Sequence, residues 1–296
     1  MPTVLTGRQA AVLGWWEEQR RDLPWRQTRD PWAVLVCEVM AQQTQVARVA
    51  ERWRPFLDRF PTPSALAEVP VAEAIRWWSG LGYNRRAVAL HRAAQAVVRD
   101  HDGRLPNDLH ALLALPGIGP YTARAVLVFA FEADLGVVDT NTARILARWA
   151  GRRRRAAEAQ AAADHAVPSG RAWAWNQAML DLGATVCTRR SPCCTVCPVE
   201  DECAWRRAGH PDPDPAIGSA GVSGGQSRFD GSDRQGRGRL VAALRSRDVA
   251  SHELAEVMGW PDDPSRADRV AATLLRDGLV TRQVTRHGER YRLAGG

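Results

Sequence analysis

The sequence predicts an all-α body followed by a small α+β module at the C-terminus. Apolar residues recur at three- and four-residue spacing through most of 8–205, which is the period of helices that bury one face. Breaks rich in proline and glycine separate these segments, and no stretch of the body alternates as a strand does. With 296 residues that are 45% hydrophobic, the chain can bury at least one sizeable core.

The segment 206–237 is predicted to be a flexible linker, because Pro, Asp, Gly and Ser dominate it and such a composition buries no core. After it come three helical segments and a two-stranded ribbon, at 238–246, 251–258, 264–277, 279–285 and 290–293. Three helices and a ribbon are typical of a winged-helix-like module, which we place at 238–296.

The charge of the chain is compatible with a polyanionic partner, since the formal net charge is +7. All 40 basic residues are arginine. A Schiff base to a sugar aldehyde normally needs a lysine amine, so catalysis through such an intermediate is not expected. No signal-like segment or long apolar run is present, and a cytoplasmic location is expected.

Four of the six cysteines form a C-x6-C-x2-C-x5-C array in one short polar loop, namely Cys187, Cys194, Cys197 and Cys203. In a cytosolic chain such an array indicates metal or redox chemistry rather than disulfides. A tetrahedral zinc site usually shows two close CxxC pairs, whereas this array has one. The spacing therefore favours an iron–sulfur cluster, with zinc as the alternative.

A glycine-bearing turn at 115–119 connects two predicted helices. Gly117 and Gly119 allow the backbone to approach an anion closely, and the amides at the following helix start can bind phosphate. A tight helix–helix turn without a ligand is the simpler interpretation of this segment taken alone.

Two carboxylates stand out. Glu38 lies inside the apolar helical stretch 32–40, where burial would raise its pKa and suit it to general acid catalysis; an exposed position on a polar helix face is the alternative. Asp139 precedes a helix start and is expected to cap that helix. Near the positive end of the helix dipole it should stay ionised. An acid paired with an ionised carboxylate is what N-glycosidic cleavage requires.

Taken together, these motifs resemble the adenine DNA glycosylases of the MutY type, within the endonuclease III superfamily. The similarity extends over roughly Leu23 to Cys203. Its markers are Leu23-Pro24-Trp25-Arg26, the run from Glu38 to Val46, Gly80-Leu81-Gly82-Tyr83, the hairpin at 115–123, Val138-Asp139-Thr140-Asn141 and the cysteine loop.

The resemblance implies a helix-hairpin-helix DNA glycosylase fold. A six-helix barrel domain with the hairpin would occupy 24–133, and an iron–sulfur domain would combine 1–23 with 134–205. The cofactor implied is a [4Fe–4S] cluster held by the four cysteines.

The resemblance also implies the roles of the site residues. Glu38 would protonate the departing adenine, and Asp139 would stabilise an oxocarbenium-like sugar, with Tyr121 and Asn141 in support. On the DNA, Tyr83 would wedge into the base stack and Arg26 would line the adenine pocket. The residues that would probe the opposite strand are Gln42, Gln43 and Thr44, while Gly117 and Gly119 would contact the backbone.

The function expected is a monofunctional, monomeric glycosylase that excises adenine mispaired with guanine or 8-oxoguanine in nucleoid DNA. Bifunctional relatives carry a lyase lysine where this chain has Tyr121. A thymine or uracil mismatch glycosylase is the alternative within the class. A non-catalytic helix-hairpin-helix DNA-binding protein is the alternative outside it. The C-terminal module is too short for the Nudix-like domain of larger relatives.

Overall fold

The computed structural model describes residues 4–219, 228–286 and 288–296. Most of these residues are helical. The helices are α1 (Gly7–Gln19), α2 (Pro31–Ala41), α3 (Val46–Arg59), α4 (Pro63–Ala67), α5 (Val71–Trp77), α6 (Arg85–His101), α7 (Leu109–Ala114), α8 (Pro120–Phe131), α9 (Thr140–Ala150), α10 (Ala156–Ala166), α11 (Ala172–Thr185), α12 (Ala204–Arg207), α13 (Asp233–Leu244), α14 (Leu254–Met258) and α15 (Pro264–Arg276).

Three short strands lie in the C-terminal region: β1 (Val249–Ala250), β2 (Val280–Thr285) and β3 (Gly288–Leu293). Short 3-10 helices occupy Pro24–Gln27, Cys194–Val196, Glu200–Glu202 and Ser251–Glu253. Within the described ranges, none of the helices has both the length and the apolar character needed to span a bilayer.

Several helices begin where the sequence supplies a cap. Thr6 accepts a hydrogen bond from the Gln9 amide while the Gln9 side chain accepts one from the Thr6 amide, which satisfies two otherwise unpaired donors at the start of α1. Asp263 caps α15 in the same way through the Arg266 amide, and Pro264 occupies the first turn. These helix starts are thus marked by neighbouring residues in the sequence.

The described residues within Met1–Val34, Asn107–His110 and Gly119–Gly225 form the first of two compact units. In it, α1 and α9 both pack against α11. Cys203 belongs to the core of this unit, and Cys187 and Cys197 pack against that core. The large side chains of the core are Val12, Leu13, Trp16, Ile145, Leu146, Trp149, Trp175, Met179, Leu182, Val186, Val199 and Trp205.

The second unit comprises the described residues within Leu35–Pro106, Ala111–Ile118 and Gln226–Gly296. Helices α4 and α5 pack on α6, and aromatic rings fill the space beside them. The ring of Phe56 lies 4.9 Å from that of Phe60 and meets Trp78 edge-on at 5.8 Å. Such pairs stabilise a core beyond the apolar area they bury.

The C-terminal module contains three helices and a two-stranded ribbon, as predicted. Helices α13, α14 and α15 pack on one another, and β2 pairs antiparallel with β3 from Val280↔Leu293 to Thr285↔Gly288. The structure adds β1 on the other side of β3, in the order β1-β3-β2. A two-residue strand is too short to show an alternating pattern, so the sequence predicted only the ribbon.

Ordered structure extends into the range 206–237 that was predicted to be a linker. Helix α13 begins at Asp233, where Ser232 caps it. Asp214 forms an ion pair with the buried Arg148, and Ser219 is buried. A buried arginine requires a partner, which explains why this polar segment is held in place. Residues 220–227 lie outside the described residues, and the predicted domain division stays a prediction.

Candidate active site and nucleic-acid interface

Asp139 is held at the start of α9 by two hydrogen bonds. Its Oδ1 accepts the Thr142 amide at 2.7 Å, as predicted for a helix cap, and its Oδ2 accepts the Asn141 side-chain amide at 2.8 Å. Burial raises the pKa of Asp139 above the ordinary aspartate value, and these hydrogen bonds lower it without cancelling the rise. Burial therefore has a larger effect on the pKa of Asp139 than the helix cap, which the position at a helix start did not reveal.

Asn141 is itself fixed by its neighbours. Its Oδ1 accepts a hydrogen bond of 2.7 Å from Arg144, whose guanidinium also donates to the carbonyl oxygens of Gly183 and Cys187. A Cβ atom on Gly183 would lie 2.4 Å from the Cβ of Asn141, so only glycine fits where α11 approaches α9. Asn141 thus presents its amide to Asp139 in one orientation. The sequence prediction missed both Arg144 and Gly183.

Glu38 lies on α2 in the second unit, whereas Asp139, Tyr121 and Asn141 lie in the first. Glu38 is half-buried, and its neighbours in the sequence, Cys37 and Val39, are buried. Tyr121 is half-buried in the first turn of α8. The sequence assigned catalytic roles to these residues, and those roles stay predictions.

The glycine-bearing turn connects α7 to α8 as predicted. Gly117 has a φ of +77°, and a Cβ atom there would lie 2.6 Å from the Cβ of Ala89. Both the backbone conformation and the close approach therefore require glycine. Gly119 caps α8 in an extended conformation ahead of Pro120. The turn has the form of a helix-hairpin-helix, with a helix start next to it that can receive phosphate.

The guanidinium of Arg86 organises the two loops that were predicted to touch DNA. It is buried at the start of α6, where Nη1 donates to the carbonyl oxygens of Val39, Met40 and Gln42 at 2.9, 2.9 and 2.5 Å. Nη2 donates to Thr44 Oγ1 at 2.9 Å and to the carbonyl oxygens of Leu81 and Gly82 at 3.0 Å. Burial lowers the pKa of Arg86 to about 10, so it stays charged at neutral pH.

The predicted DNA-contacting residues of the second unit are thus brought together by one cation. Arg86 donates hydrogen bonds to the Thr44 hydroxyl and to the Gln42 carbonyl oxygen. Gln43 and Tyr83 have positive φ angles of 55° and 43°, which residues other than glycine rarely adopt. The hydrogen bonds of Arg86 supply the support that such backbone conformations need.

Arg26 is largely buried in the first unit. Its guanidinium binds the fully buried carboxylate of Asp181 through Nη2 at 2.7 Å and Nη1 at 2.8 Å, and Nε donates to Gln177 at 2.8 Å. Although burial raises the pKa of Asp181, Arg26 and Arg21 hold it below its ordinary value. The sequence did not single out Asp181. The assignment of Arg26 to an adenine pocket stays a prediction.

The four cysteines of the array line one cavity, together with Trp205. Burial, with the nearby thiols of Cys187, Cys203 and Cys194, raises the pKa of Cys197 to about 11. Across the described ranges, no three His, Cys, Asp or Glu side chains converge closely enough to hold a single metal ion. Cys193 is exposed and does not line this cavity, and Cys37 is buried in α2.

Comparisons with known proteins identify the class and then the family. Residues 36–169 match the family described as HhH-GPD superfamily base excision DNA repair protein. The chain is 43% identical to the adenine DNA glycosylase of Mycobacterium tuberculosis, over 92% of this chain and 90% of that protein. The chain therefore belongs to the adenine DNA glycosylase family.

Two solved structures share the fold. A thermostable thymine-DNA glycosylase superposes with a TM-score of 0.63 at 29% identity, covering 67% of this chain and 94% of that one. A trapped endonuclease III–DNA covalent intermediate superposes with a TM-score of 0.61 at 23% identity, covering 70% of this chain and all of that one. The predicted helix-hairpin-helix glycosylase fold is confirmed.

We expect Arg86→Lys to lower the free energy of unfolding by about 3 kcal/mol, because one ammonium with three donors cannot reach carbonyl groups in both loops. Urea unfolding monitored by circular dichroism measures this difference. The adjacent Arg85 is exposed, so Arg85→Lys should change the free energy by no more than about 0.5 kcal/mol. Equal stabilities of the two variants would contradict the role of Arg86.

Asn141→Ala should raise the pKa of Asp139 further, because it removes a hydrogen-bond donor to the ionised carboxylate. A ¹³C NMR titration of the Asp139 carboxyl, assigned with Asp139→Asn, measures the change. Thr140→Ala is the matched control, since Thr140 is exposed in the same helical turn. An Asp139 that titrates at the same pH in the Asn141→Ala protein would show that the amide does not stabilise its charge.

Proposed function

We propose that this protein removes adenine mispaired with guanine or 8-oxoguanine from double-stranded DNA, as a monomeric base excision repair enzyme acting on nucleoid DNA in the cytoplasm. The observation that carries the assignment to adenine is the 43% identity to an adenine DNA glycosylase, which extends over nearly the whole chain. The chemistry rests on the Asp139 carboxylate, whose orientation is fixed before any substrate arrives.

Asp139 stabilises positive charge in this mechanism. Cleavage of an N-glycosidic bond passes through a sugar with oxocarbenium character, and an ionised carboxylate held close to C1′ lowers the free energy of that state. Two hydrogen bonds already fix Asp139, so little reorganisation accompanies the reaction. Because burial raises its pKa, the active ionised form is lost at a higher pH than for an ordinary aspartate as the pH falls.

Glu38 is the general acid in the proposal. Adenine leaves readily only when a ring nitrogen accepts a proton, and the half-buried carboxyl group of Glu38 donates it in this proposal. The same carboxylate then accepts a proton from the water that attacks the sugar. Tyr121 stands where a lyase would carry lysine, and the chain contains no lysine. Base release without strand cleavage is therefore proposed.

DNA binding in the proposal uses the hairpin and the loops around Arg86. The start of α8 receives a backbone phosphate. Adenine leaves the base stack while Tyr83 fills the gap, and Gln42, Gln43 and Thr44 contact the opposite strand. Shape and charge at these loops depend on Arg86, which is bonded to both.

The four cysteines fit a [4Fe–4S] cluster. They line a single cavity, and Arg148 donates from Nη1 to the Cys187 sulfur at 3.3 Å, which suits a thiolate. A bound cluster supplies iron–thiolate bonds that fix the loop. Arg148 also holds the cysteine loop, because it donates to the carbonyl oxygens of Thr188 and Arg189 and forms an ion pair with Asp214.

A thymine mismatch activity is the second candidate, favoured by the structural similarity to a thymine-DNA glycosylase. Duplexes with A·G, A·8-oxoguanine, T·G and U·G pairs separate the two. We expect base release from the adenine duplexes only, detected as strand breaks after alkali. Release of thymine or uracil alone would establish the second candidate, and strand cleavage before alkali would contradict the absence of lyase activity.

A variant pair makes that assay specific for the proposed chemistry. Glu38→Gln should slow single-turnover release of adenine at least about 100-fold, because a general acid contributes at least that much, while DNA affinity is retained. Glu51→Gln, on an exposed position of α3, should act as the parent does. Rates for Glu38→Gln within about threefold of the parent, less than roughly 1 kcal/mol in barrier, would contradict the role of Glu38.

Protein purified without air should contain iron and sulfide at about four atoms each per chain, as a [4Fe–4S] cluster requires. Cys197→Ser removes one thiolate and should lower the iron content strongly. Cys193→Ser should leave it unchanged, because Cys193 is exposed and outside the cavity. Zinc in place of iron in the parent protein would contradict the cluster.

A further inference from the structure

A groove of about 760 Å³ lies within the second unit, between the predicted DNA-contacting loops and the C-terminal module. Gln43, Thr44 and Tyr83 line one side of it. Helix α13 lines the other through Arg234 and Arg237, with Arg245 directly after the helix and Phe229 ahead of it. We call this feature the α13 groove. Its size is that of a ligand site, and the module supplies about half of its lining.

The α13 groove carries uncompensated positive charge. Arg48, Arg85 and Arg245 also line it, and none of the three forms an ion pair with a carboxylate in the part of the chain that the structure describes. Burial and the nearby Arg52 lower the pKa of Arg245, as expected where like charges are held together. Asp277, the one carboxylate among the described residues that line the groove, is paired with Arg237. Such a surface attracts a polyanion.

Arg234 connects the module to the predicted wedge residue. Its Nη1 donates to the Tyr83 hydroxyl at 3.1 Å, and its guanidinium lies 5.3 Å from the ring centre of Phe229, which is 51% exposed. Tyr83 has a positive φ angle, so its backbone is held in a conformation that it would not keep in a free loop. An arginine between a tyrosine and an exposed aromatic ring is well placed to contact both phosphate and base.

We propose that the α13 groove binds the phosphate backbone of duplex DNA and that Arg234 is a positioning residue for Tyr83. The proposal rests on the proposed function only in that DNA is the substrate. On this proposal, residues of the C-terminal module form one side of the DNA-binding surface. Arg245 donates to the Ile75 carbonyl oxygen at 3.3 Å and to Asn84 Oδ1 at 3.2 Å. These hydrogen bonds attach the module to that side of the surface.

The first test measures backbone binding. Affinity of the full-length, cluster-containing protein for an undamaged duplex is measured between 50 and 200 mM salt, a range over which phosphate contacts weaken strongly. We expect Arg234→Ala and Arg48→Ala each to weaken binding several-fold. Each should also flatten the slope of log K against log salt concentration by about 0.9, the effect of one lost phosphate contact. Arg48 is exposed, so its replacement tests the groove without disturbing the core.

Arg269→Ala is the matched control, because Arg269 is exposed on α15 of the same module and does not line the groove. It should leave affinity and slope unchanged. If Arg269→Ala weakens binding while Arg234→Ala and Arg48→Ala do not, the module contacts DNA through α15 and the groove proposal is wrong.

The second test separates positioning of Tyr83 from charge. Single-turnover release of adenine is measured at saturating mispaired DNA for Arg234→Ala, Tyr83→Phe and the double variant. We expect the double variant to be no slower than the slower single variant, because both changes break the same hydrogen bond. Tyr83→Phe should leave the salt slope unchanged. Multiplicative rate effects would overturn the positioning role.

The outcomes also distinguish the two proposals. A parent protein that releases adenine from no duplex overturns the proposed function. A parent that releases adenine, with Arg234→Ala equal to Arg269→Ala in affinity, salt slope and rate, overturns the α13 groove alone.

Discussion

The hydrogen bonds of Arg86 are the constraint on which the DNA-facing loops of the second unit depend. One buried guanidinium donates hydrogen bonds to six carbonyl oxygens and a threonine hydroxyl, which belong to the end of α2, the loop after it and the loop before α6. A buried cation without a partner costs several kcal/mol, and each buried carbonyl group left without a donor costs about 1–3 kcal/mol. The loops therefore keep one arrangement, and strained residues such as Gln43 and Tyr83 are held where they stand.

In the first unit, two opposing effects set the charge of Asp139. Burial disfavours the carboxylate, while the Thr142 and Asn141 donors favour it, and burial has the larger effect. Hydrogen-bond donors fixed in advance suit a carboxylate that must meet a transient positive charge, because they hold its oxygens in place without neutralising them. Gly183 contributes by its missing side chain, since it lets α11 approach close enough for Asn141 to be fixed on both sides.

Local patterns predicted much of the fold and part of the site. Helical periodicity, the glycines of the hairpin and the helix cap at Asp139 are written in neighbouring residues, and the structure has all three. Arg86, Arg144 and Asp181 were missed, because a charged residue is most often exposed and only tertiary packing shows that these are not. The rise in the pKa of Asp139 that burial causes was missed for the same reason, since burial is not a local property. The start of α13 was missed because Ser232 and Asp233 lie in a composition typical of linkers.

The absence of lysine has a structural consequence besides a chemical one. Buried cations in this chain bind several acceptors at once: Arg26 binds Asp181 and Gln177, and Arg148 binds Asp214 and two carbonyl oxygens. The planar fork of arginine suits this arrangement, because it directs donors from three nitrogen atoms, whereas an ammonium presents its donors from a single atom. The charges of Arg26 and Arg148 are paired with acceptors inside the fold. Among the described residues, Arg48 and Arg85 line the α13 groove without a carboxylate partner, so their charge is available to a polyanion. The net charge of +7 by itself does not reveal where it acts.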